Sequence, residues 1–318
     1  MTVPHPSPLR LVFAGTPAVA TPALDAMVSA GHEIAAIITR RDAPLGRRRV
    51  LTPSPVAARA DELGLRTIKA NRLNDDVTAE VAGLQPDLGV IVAYGGLVRE
   101  PLLSAPRLGW INLHFSLLPR WRGAAPVQRA IIAGDDSTGA AVFQLVPELD
   151  AGDVFDTVQR PIGADETGGD VLEALAHDGA RLLASVVDRI AHGTALAHAQ
   201  TGDPTLAPKL TIDDARLTWT EPGDAVYNRL RAVTPEPGAY TMLGADRLKI
   251  VLARLAPVGS TPEPPLAPGV ITQHAGRVLI GTATQPLELR TVQPAGKRAM
   301  PAADWWRGRS DAGEAVAQ

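Results

Sequence analysis

The stretch Leu9–Thr39, which reads LRLVFAGTPAVATPALDAMVSAGHEIAAIIT, decides the fold. It opens with an apolar run that breaks at Gly15, continues as a helical pattern over about Ala20–Ala30, and stops at Gly31, a residue type that commonly ends helices. A second apolar run, Glu33–Thr39, follows. A strand, a helix and a second strand in this order predict a βαβ unit with parallel strands and a right-handed crossover.

The same alternation continues along the chain. The sequence predicts a helix over Val56–Leu63, strands over Leu88–Ala93, Gly109–Leu113 and Ala140–Val146, and a long helix over Asp170–His192. Strands that alternate with helices are typical of an α/β domain. We therefore predict a doubly wound, mostly parallel sheet.

The chain after the long helix has a different character. Residues 193–209 are rich in Thr, Gly and Pro, a composition typical of an exposed linker. Beyond one helix near 224–232, short β-rich runs are separated by Pro- and Gly-rich turns. A chain of 318 residues is too long to fold around a single hydrophobic core. We therefore predict an α/β domain over 1–192, a linker over 193–209 and a smaller β-barrel domain over 210–318.

Composition excludes several classes of protein. Cysteine is absent, which excludes disulfides, thiolate metal sites and a cysteine nucleophile. The histidines lack the paired spacing of metal ligands, so no metal site is predicted. The N-terminus does not resemble a signal peptide, and no apolar run of about 18 residues is present. We interpret the protein as cytoplasmic, with no membrane contact.

The net charge of −3 does not favour nucleic-acid binding by the molecule as a whole. A polyanionic partner would have to meet a local basic surface. The stretch Arg40–Arg49, RRDAPLGRRR, is one such surface, with five arginines. Arginine pairs with phosphate and stacks on bases, although a solvated basic turn explains the pattern equally well.

Parallel sheets of this kind bind ligands beyond the carboxyl ends of their strands. The loop at Gly15 lacks the spaced glycines of a dinucleotide site and the Gly-Lys-Ser/Thr of a phosphate loop, and a tight turn explains it. Tyr94 and Gly95 follow a later strand and are predicted to bind a cofactor.

Asn112 and His114 occupy the end of another predicted strand. Because one residue separates them, an extended backbone places both side chains on one face. An amide and an imidazole suit the oxyanion that develops when an amine attacks a carbonyl-type carbon. The alternative is a polar pair that merely closes the strand.

Downstream of this pair, Ser116–Gln128 reads SLLPRWRGAAPVQ and Asp150 opens the phrase DAGD. With VFAGTP, TPSPV, VAYGGLV and QPAGKRAM, which begin at positions 12, 52, 92 and 293, these segments resemble the folate-dependent formyltransferases over nearly the whole chain. The run PRWRGAAP is similar to the members that act on methionyl-tRNA. The resemblance implies a Rossmann-like formyltransferase domain and an OB-like C-terminal barrel.

The resemblance also implies the catalytic residues, which are Asn112, His114 and Asp150. We expect Asn112 and His114 to stabilise the oxyanion. We expect Asp150 to orient or charge His114 and to pass protons through a water, because the attacking amine must lose a proton and the folate nitrogen must gain one.

The binding residues implied by the resemblance form two groups. The tetrahydrofolate site would be lined by Ser116, Leu117, Leu118 and Pro119, beside Tyr94 and Gly95. The contacts with tRNA would be Arg47, Arg48 and Arg49 in the arginine-rich loop, and Lys297, Arg298, Arg307 and Arg309 in the C-terminal domain.

The implied activity is transfer of the formyl group of 10-formyltetrahydrofolate to the amino group of methionyl-initiator-tRNA, by a monomer without a metal. Two alternatives stay open. One is an enzyme that uses the same folate chemistry on a sugar or nucleotide amine, and the other is a non-catalytic RNA-binding protein with the same fold. The second domain and the arginine-rich loop favour the tRNA substrate over a sugar or nucleotide amine.

Overall fold

The computed structural model describes residues 8–46, 48–257, 262, 264–309 and 315–318. The strands are β1 (Arg10–Gly15), β2 (Glu33–Thr39), β3 (Ala43–Leu45), β4 (Val50–Thr52), β5 (Thr67–Lys69), β6 (Leu88–Val92), β7 (Trp110–His114), β8 (Arg122–Gly123), β9 (Ser137–Gln144), β10 (Val154–Pro161), β11 (Leu206–Ala207), β12 (Tyr240–Leu243), β13 (Asp246–Leu255), β14 (Val270–His274), β15 (Arg277–Ile280), β16 (Leu287–Pro294), β17 (Met300–Pro301) and β18 (Ala315–Val316). The helices are α1 (Thr21–Ser29), α2 (Pro55–Glu62), α3 (Asp75–Gly83), α4 (Pro126–Ala133), α5 (Gly168–Ala191), α6 (Gly223–Ala232) and α7 (Ala302–Arg307).

The described residues divide into two compact units. Unit 1 contains the chain up to Pro126, together with Thr138–Arg160 and Leu172–Ala207. Unit 2 contains Val127–Ser137, Pro161–Val171 and the chain from Pro208 onward.

The described part of unit 1 contains a seven-stranded sheet in the order β10-β9-β7-β6-β1-β2-β5. The pairs from β5 across to β7 are parallel, and β9 runs antiparallel to β7. β6 is buried along its whole length, as expected for a central strand covered on both faces. The predicted doubly wound, mostly parallel sheet is confirmed.

The predicted boundaries in this sheet shift by a few residues. β2 covers the predicted Glu33–Thr39. α1 begins at Thr21, because the preceding residues Ala18–Ala20 form a short 3-10 helix. α3 and β10 were not predicted, and β10, which reads VFDTVQRP, lacks a continuous apolar run because its side chains are at most partly buried.

Strands of unit 2 form an antiparallel sheet in the order β12-β13-β16-β15-β14-β18, with β17 paired to β16. Its two edges meet, because Met242 and Gln318 exchange backbone hydrogen bonds of 3.0 and 2.9 Å beside β12 and β18. Closure removes the open edges of a sheet and encloses an apolar core, which includes Leu248, Ile271 and Leu289. This closed sheet agrees with the predicted C-terminal barrel.

Residues 193–207 are mostly exposed, yet they belong to unit 1 and form backbone hydrogen bonds with the rest of it. His198 and Val154 exchange two backbone hydrogen bonds of 2.8 and 2.9 Å, and β11 pairs in parallel with β8. Composition predicts a loop here but cannot reveal where its backbone groups bond. The division at 193–209 stays a prediction.

Candidate active site

The site lies beyond the carboxyl ends of β6 and β7 in unit 1. The strand order reverses between β1 and β6, and such a switch point opens a crevice at the carboxyl ends of the strands. The adjacent loops touch there, since the Thr16 hydroxyl lies 3.3 Å from the Tyr94 carbonyl oxygen. β7 carries Asn112 and His114 at this end of the sheet.

The His114 ring is fixed by a backbone group. Its Nε2 lies 2.9 Å from the carbonyl oxygen of Trp121, which can only accept a hydrogen bond. Nε2 therefore carries the proton, and in the neutral ring Nδ1 has a free lone pair. Phe143 supports the ring edge-on, with ring centres 6.3 Å apart. The side chain is almost fully buried, with 7% of its surface exposed.

Asp150 faces the free nitrogen of this ring. Its Oδ2 lies 3.8 Å from His114 Nδ1 and accepts a hydrogen bond of 2.8 Å from the backbone N–H of Gly123. The backbone of Asp150 is left-handed, with φ 46°. A side chain at Gly152 would come within 1.8 Å of the Gln144 carbonyl oxygen, so the turn that presents Asp150 needs glycine there.

Burial lowers the pKa of His114, because the charged imidazolium loses its hydration. The Asp150 carboxylate and the Trp121 carbonyl act in the opposite direction and stabilise the charged form, but burial dominates. His114 is consequently neutral at pH 7. A neutral ring with a free Nδ1 is a proton acceptor.

A pocket of about 330 Å³ opens beside the pair, lined by Asn112 and Asp150. The remaining walls come from Ile91 on β6 and from two loops, one after β6 and one after β9. They contribute apolar side chains for the most part, namely Ile91, Leu97, Val98, Leu103, Leu145, Val146, Pro147 and Leu149. An apolar pocket with a few convergent polar groups is the usual form of a small-molecule site.

Comparison with known proteins assigns a family to this arrangement. The sequence profile described as "Formyl transferase" matches residues 9–187, and that described as "Formyl transferase, C-terminal domain" matches residues 209–310. The chain belongs to the formyl transferase family. The profiles cover both units, so the membership does not depend on the sheet alone.

Relatives in this family resemble the chain over nearly its full length. A protein from Leifsonia xyli subsp. xyli named methionyl-tRNA formyltransferase is 62% identical over 97% of this chain and 99% of that protein. A protein of the same name from Clavibacter sepedonicus is 61% identical over 94% of this chain and 97% of that protein.

A solved formyltransferase has a similar fold. The N-formyltransferase from Helicobacter canadensis, in complex with folinic acid and dTDP-3-aminofucose, superposes with a TM-score of 0.67 and covers 88% of this chain and 98% of that chain. The two sequences are 16% identical, so this likeness shows the fold alone.

In the present chain, the three residues predicted for catalysis lie close to one another. Asp150 connects the other two, since it faces His114 and lines the same pocket as Asn112. The sequence did not reveal the Trp121 carbonyl or the Gly123 N–H, because any residue type can supply a backbone group. The RWRG motif that contains them was the available signal.

The residues predicted to bind folate are placed differently from one another. Tyr94 is buried, and its hydroxyl donates to the Ala70 carbonyl oxygen at 2.8 Å, away from the pocket. Ser116 is also buried and donates to the Arg120 carbonyl oxygen at 2.6 Å. Neither these two nor Gly95, Leu117, Leu118 and Pro119 line the pocket described above.

The described residues predicted to bind tRNA are solvent-exposed, except Arg309, which is partly buried. Arg48 and Arg49 lie in the loop between β3 and β4, and Arg47 lies outside the described residues. Lys297 and Arg298 are exposed between β16 and β17. Arg307 pairs with Asp304, whereas Arg309 stacks against Trp305 and Trp306 at 5.5 and 5.2 Å.

The described ranges contain neither a metal-binding cluster nor a membrane-spanning helix. No group of three or more His, Asp or Glu side chains there is arranged to hold a metal ion. None of the helices in those ranges combines the length and apolar character needed to cross a bilayer.

Proposed function

We propose that this protein transfers the formyl group of 10-formyltetrahydrofolate to the amino group of methionyl-initiator-tRNA. The product would be N-formylmethionyl-tRNA, used to initiate translation. The observation that carries the proposal is full-length similarity, at 62% and 61% identity, to two proteins named methionyl-tRNA formyltransferase. The clustering of Asn112, His114 and Asp150 beside an apolar pocket supports the same chemistry.

The pocket suits the flat head group of a folate. Its apolar walls would cover the rings, and the Asp150 carboxylate and the Asn112 amide would meet polar ring atoms or the formyl group. In this arrangement the formyl carbon would lie near Asn112, the polar side chain of β7 that reaches the pocket.

Asn112 would stabilise the oxyanion. When the amine attacks the formyl carbon, the formyl oxygen gains negative charge, and a fixed amide donor lowers the barrier. Within the described part of the chain, no residue hydrogen-bonds the Asn112 side chain, so its N–H groups are available to the substrate. His114 is less suited to this role than we expected, because its Nε2–H already donates a hydrogen bond to the Trp121 carbonyl oxygen.

The pair of His114 and Asp150 would instead move the proton. The attacking amine loses a proton as its bond to carbon forms, and the folate nitrogen takes one as its bond to carbon breaks. The free Nδ1 of His114 can accept the proton beside the Asp150 carboxylate, which stabilises the charged ring at 3.8 Å. Return of the proton to the folate nitrogen restores the starting state.

The hairpin of β3 and β4 would contact the tRNA. Its loop carries Arg48 and Arg49, and its strands expose Leu45, Val50 and Leu51, whose side chains are 59% to 69% exposed. Arginine would bind phosphates, while exposed apolar side chains can pack on unstacked bases. The family resemblance also implies Arg47 as a contact, but this residue lies outside the described residues.

The barrel of unit 2 would add phosphate contacts. Lys297 and Arg298 are exposed and carry no ion pair with a described residue. Contacts of this type strengthen binding without reading sequence and weaken as salt concentration rises.

The test is a comparison of acceptor substrates with 10-formyltetrahydrofolate as donor. Methionyl-initiator-tRNA, a dTDP-amino sugar and glycinamide ribonucleotide are supplied separately. We expect formyl transfer to the tRNA at a kcat/KM at least about 10³-fold above that of the other amines. Transfer to the sugar or the ribonucleotide in preference to tRNA would reject the proposal, and tRNA binding without transfer would indicate a binding protein.

A further inference from the structure

Gln200 binds both loops that hold the His114–Asp150 pair. Its Nε2 donates to the carbonyl oxygens of Asp150 and Gly152 at 2.8 and 2.9 Å. Its Oε1 accepts from Arg122, from one terminal nitrogen at 2.6 Å and from Nε at 3.2 Å. A guanidinium only donates and a carbonyl only accepts, so a single orientation of the amide satisfies all these bonds.

Arg122 has immediate neighbours that touch the catalytic pair. The carbonyl oxygen of the preceding residue, Trp121, accepts a hydrogen bond from His114 Nε2. The backbone N–H of the following residue, Gly123, donates to the Asp150 carboxylate. Gln200 therefore ties the loop that fixes the ring to the loop that presents the carboxylate. Its partners are 78 and 50 residues distant in sequence, so no local interaction provides this connection.

The backbone of Asp150 needs such support. A left-handed φ of 46° is unfavourable for a residue with a Cβ, by about 1 kcal/mol or more. Residues in such conformations persist where their surroundings fix them, and they are frequent at functional sites. Gln200 holds the carbonyl of this same residue.

The segment that carries Gln200 is itself anchored on both sides. His198 exchanges backbone hydrogen bonds with Val154, just after the Asp150 loop. Thr205 accepts from the backbone N–H of Trp121 through its hydroxyl at 2.9 Å and from that of Arg122 through its carbonyl at 2.8 Å. The amide of Gln200 thus acts from a fixed backbone.

We propose that Gln200, held by Arg122, is a positioning residue that sets the Asp150 carboxylate against Nδ1 of His114. It does not touch the substrate in this assignment. Its effect on turnover rests on the proposed function, whereas its effect on the His114–Asp150 geometry does not.

The test uses Gln200→Met, which is neutral and of similar length but cannot hydrogen-bond to the carbonyls or to Arg122. We expect kcat for formyl transfer to fall roughly 10- to 100-fold, with KM for tRNA within about twofold, because the reacting groups are misplaced. Arg122→Lys keeps one donor to Gln200, so its kcat should fall less than that of Gln200→Met.

The second readout is NMR titration of His114, assigned by comparison with His114→Gln. The Asp150 carboxylate raises the pKa of this ring, so its displacement in Gln200→Met should move the midpoint to lower pH. A merely structural role for Gln200 would lower thermal stability and leave the midpoint where it is in the wild type. An unchanged midpoint, with or without a change in turnover, would overturn the assignment.

The matched control is Gln285→Ala. Gln285 also fixes a loop with its amide, which donates to the Ala256 carbonyl oxygen in unit 2. We expect its kcat and its His114 midpoint to match the wild type. Should the wild type itself transfer no formyl group, the proposed function fails, but the NMR comparison still decides the role of Gln200. If Gln200→Met does not fold, Arg122→Met, which removes both donors to Gln200 Oε1, provides the same titration, and a wild-type midpoint in that variant would overturn the assignment.

Discussion

Nδ1 of His114 lies 3.8 Å from Oδ2 of Asp150, which is an ion-pair distance but too long for a hydrogen bond. Both atoms are acceptors while the ring is neutral, because the ring proton is on Nε2, which donates a hydrogen bond to the Trp121 carbonyl oxygen. Arrival of a proton at Nδ1 would convert two facing acceptors into an ion pair. The arrangement is therefore suited to accept a proton during the reaction and to release it afterwards.

Asn112→Ala should reduce kcat by about 10²- to 10³-fold, the usual cost of removing one oxyanion donor. The Kd for methionyl-tRNA should stay within about twofold, because Asn112 lines the small pocket and not the basic hairpin. Single-turnover kinetics and tRNA binding measured on the same preparation check this. A loss of turnover that merely follows a loss of tRNA binding would disprove the oxyanion role.

The titration of His114 should have its midpoint below the ordinary histidine value of about 6.5, because burial lowers its pKa. The linked effect on stability has a definite sign. The unfolded chain binds the proton at a higher pH than the folded chain, so the free energy of unfolding falls as pH drops below about 6.5. The loss stops growing below the folded pKa.

This linkage is measured by urea unfolding of the wild type and His114→Gln between pH 8 and pH 5. The wild type should lose more stability than the variant over that interval. Parallel curves for the two proteins would show that His114 titrates in the folded and unfolded chains alike.

Arg48→Ala combined with Arg49→Ala should raise KM for tRNA about tenfold and flatten its dependence on salt, since phosphate contacts are lost. The value of kcat should be unchanged. Arg181→Ala is the control, because Arg181 is an exposed arginine on α5 that pairs with Asp178. An equal effect from the control would indicate that general charge, rather than the hairpin, attracts the tRNA.

Leu45→Ser combined with Leu51→Ser tests the apolar part of the same hairpin. These side chains are 66% and 69% exposed, so their replacement should not lower the free energy of unfolding by more than about 0.5 kcal/mol. We expect a higher KM for tRNA with an unchanged salt dependence, because no charge is removed. A wild-type KM would exclude contact between these residues and the tRNA.

Tyr227→Phe should lower the free energy of unfolding by about 1 kcal/mol, because the Tyr227 hydroxyl donates to Oδ1 of Asp165 at 2.7 Å within unit 2. Burial, with a further contribution from Asp165, raises the pKa of Tyr227 to about 12. Since the folded pKa exceeds the unfolded value of about 10, this stabilisation is complete below pH 10 and is lost as pH rises through 12. Chemical denaturation at pH 8 and pH 11 should show that the difference in free energy of unfolding between the wild type and Tyr227→Phe is smaller at pH 11.

The sequence was sufficient to predict the elements whose structure follows from the regular spacing of apolar and polar residues along the chain. The apolar runs and the intervening helix of Leu9–Thr39 predicted the parallel sheet, because burial on both faces leaves a continuous apolar pattern. The spacing of Asn112 and His114 placed them on one strand end for a similar reason. Both inferences depend on contacts that are local in the chain.

Other features of the site are non-local or depend on single backbone angles. Ala93 has a left-handed φ of 48°, which breaks the side-chain alternation of the strand just before Tyr94. Tyr94 consequently lies in the core of the sheet, an outcome that no periodicity indicates. Gln200 lies within a segment whose composition predicts only a loop, and its partners are distant in sequence.

The most direct test of the account is single-turnover formyl transfer from 10-formyltetrahydrofolate to methionyl-initiator-tRNA by the wild type and Asp150→Asn. The substitution preserves shape and leaves an oxygen to accept the Gly123 N–H, but it removes the charge that faces His114. We predict efficient transfer by the wild type and a rate about 10²- to 10⁴-fold lower in the variant, with equal tRNA affinity. A variant rate within a few fold of the wild type would contradict the claim that this pair moves the proton.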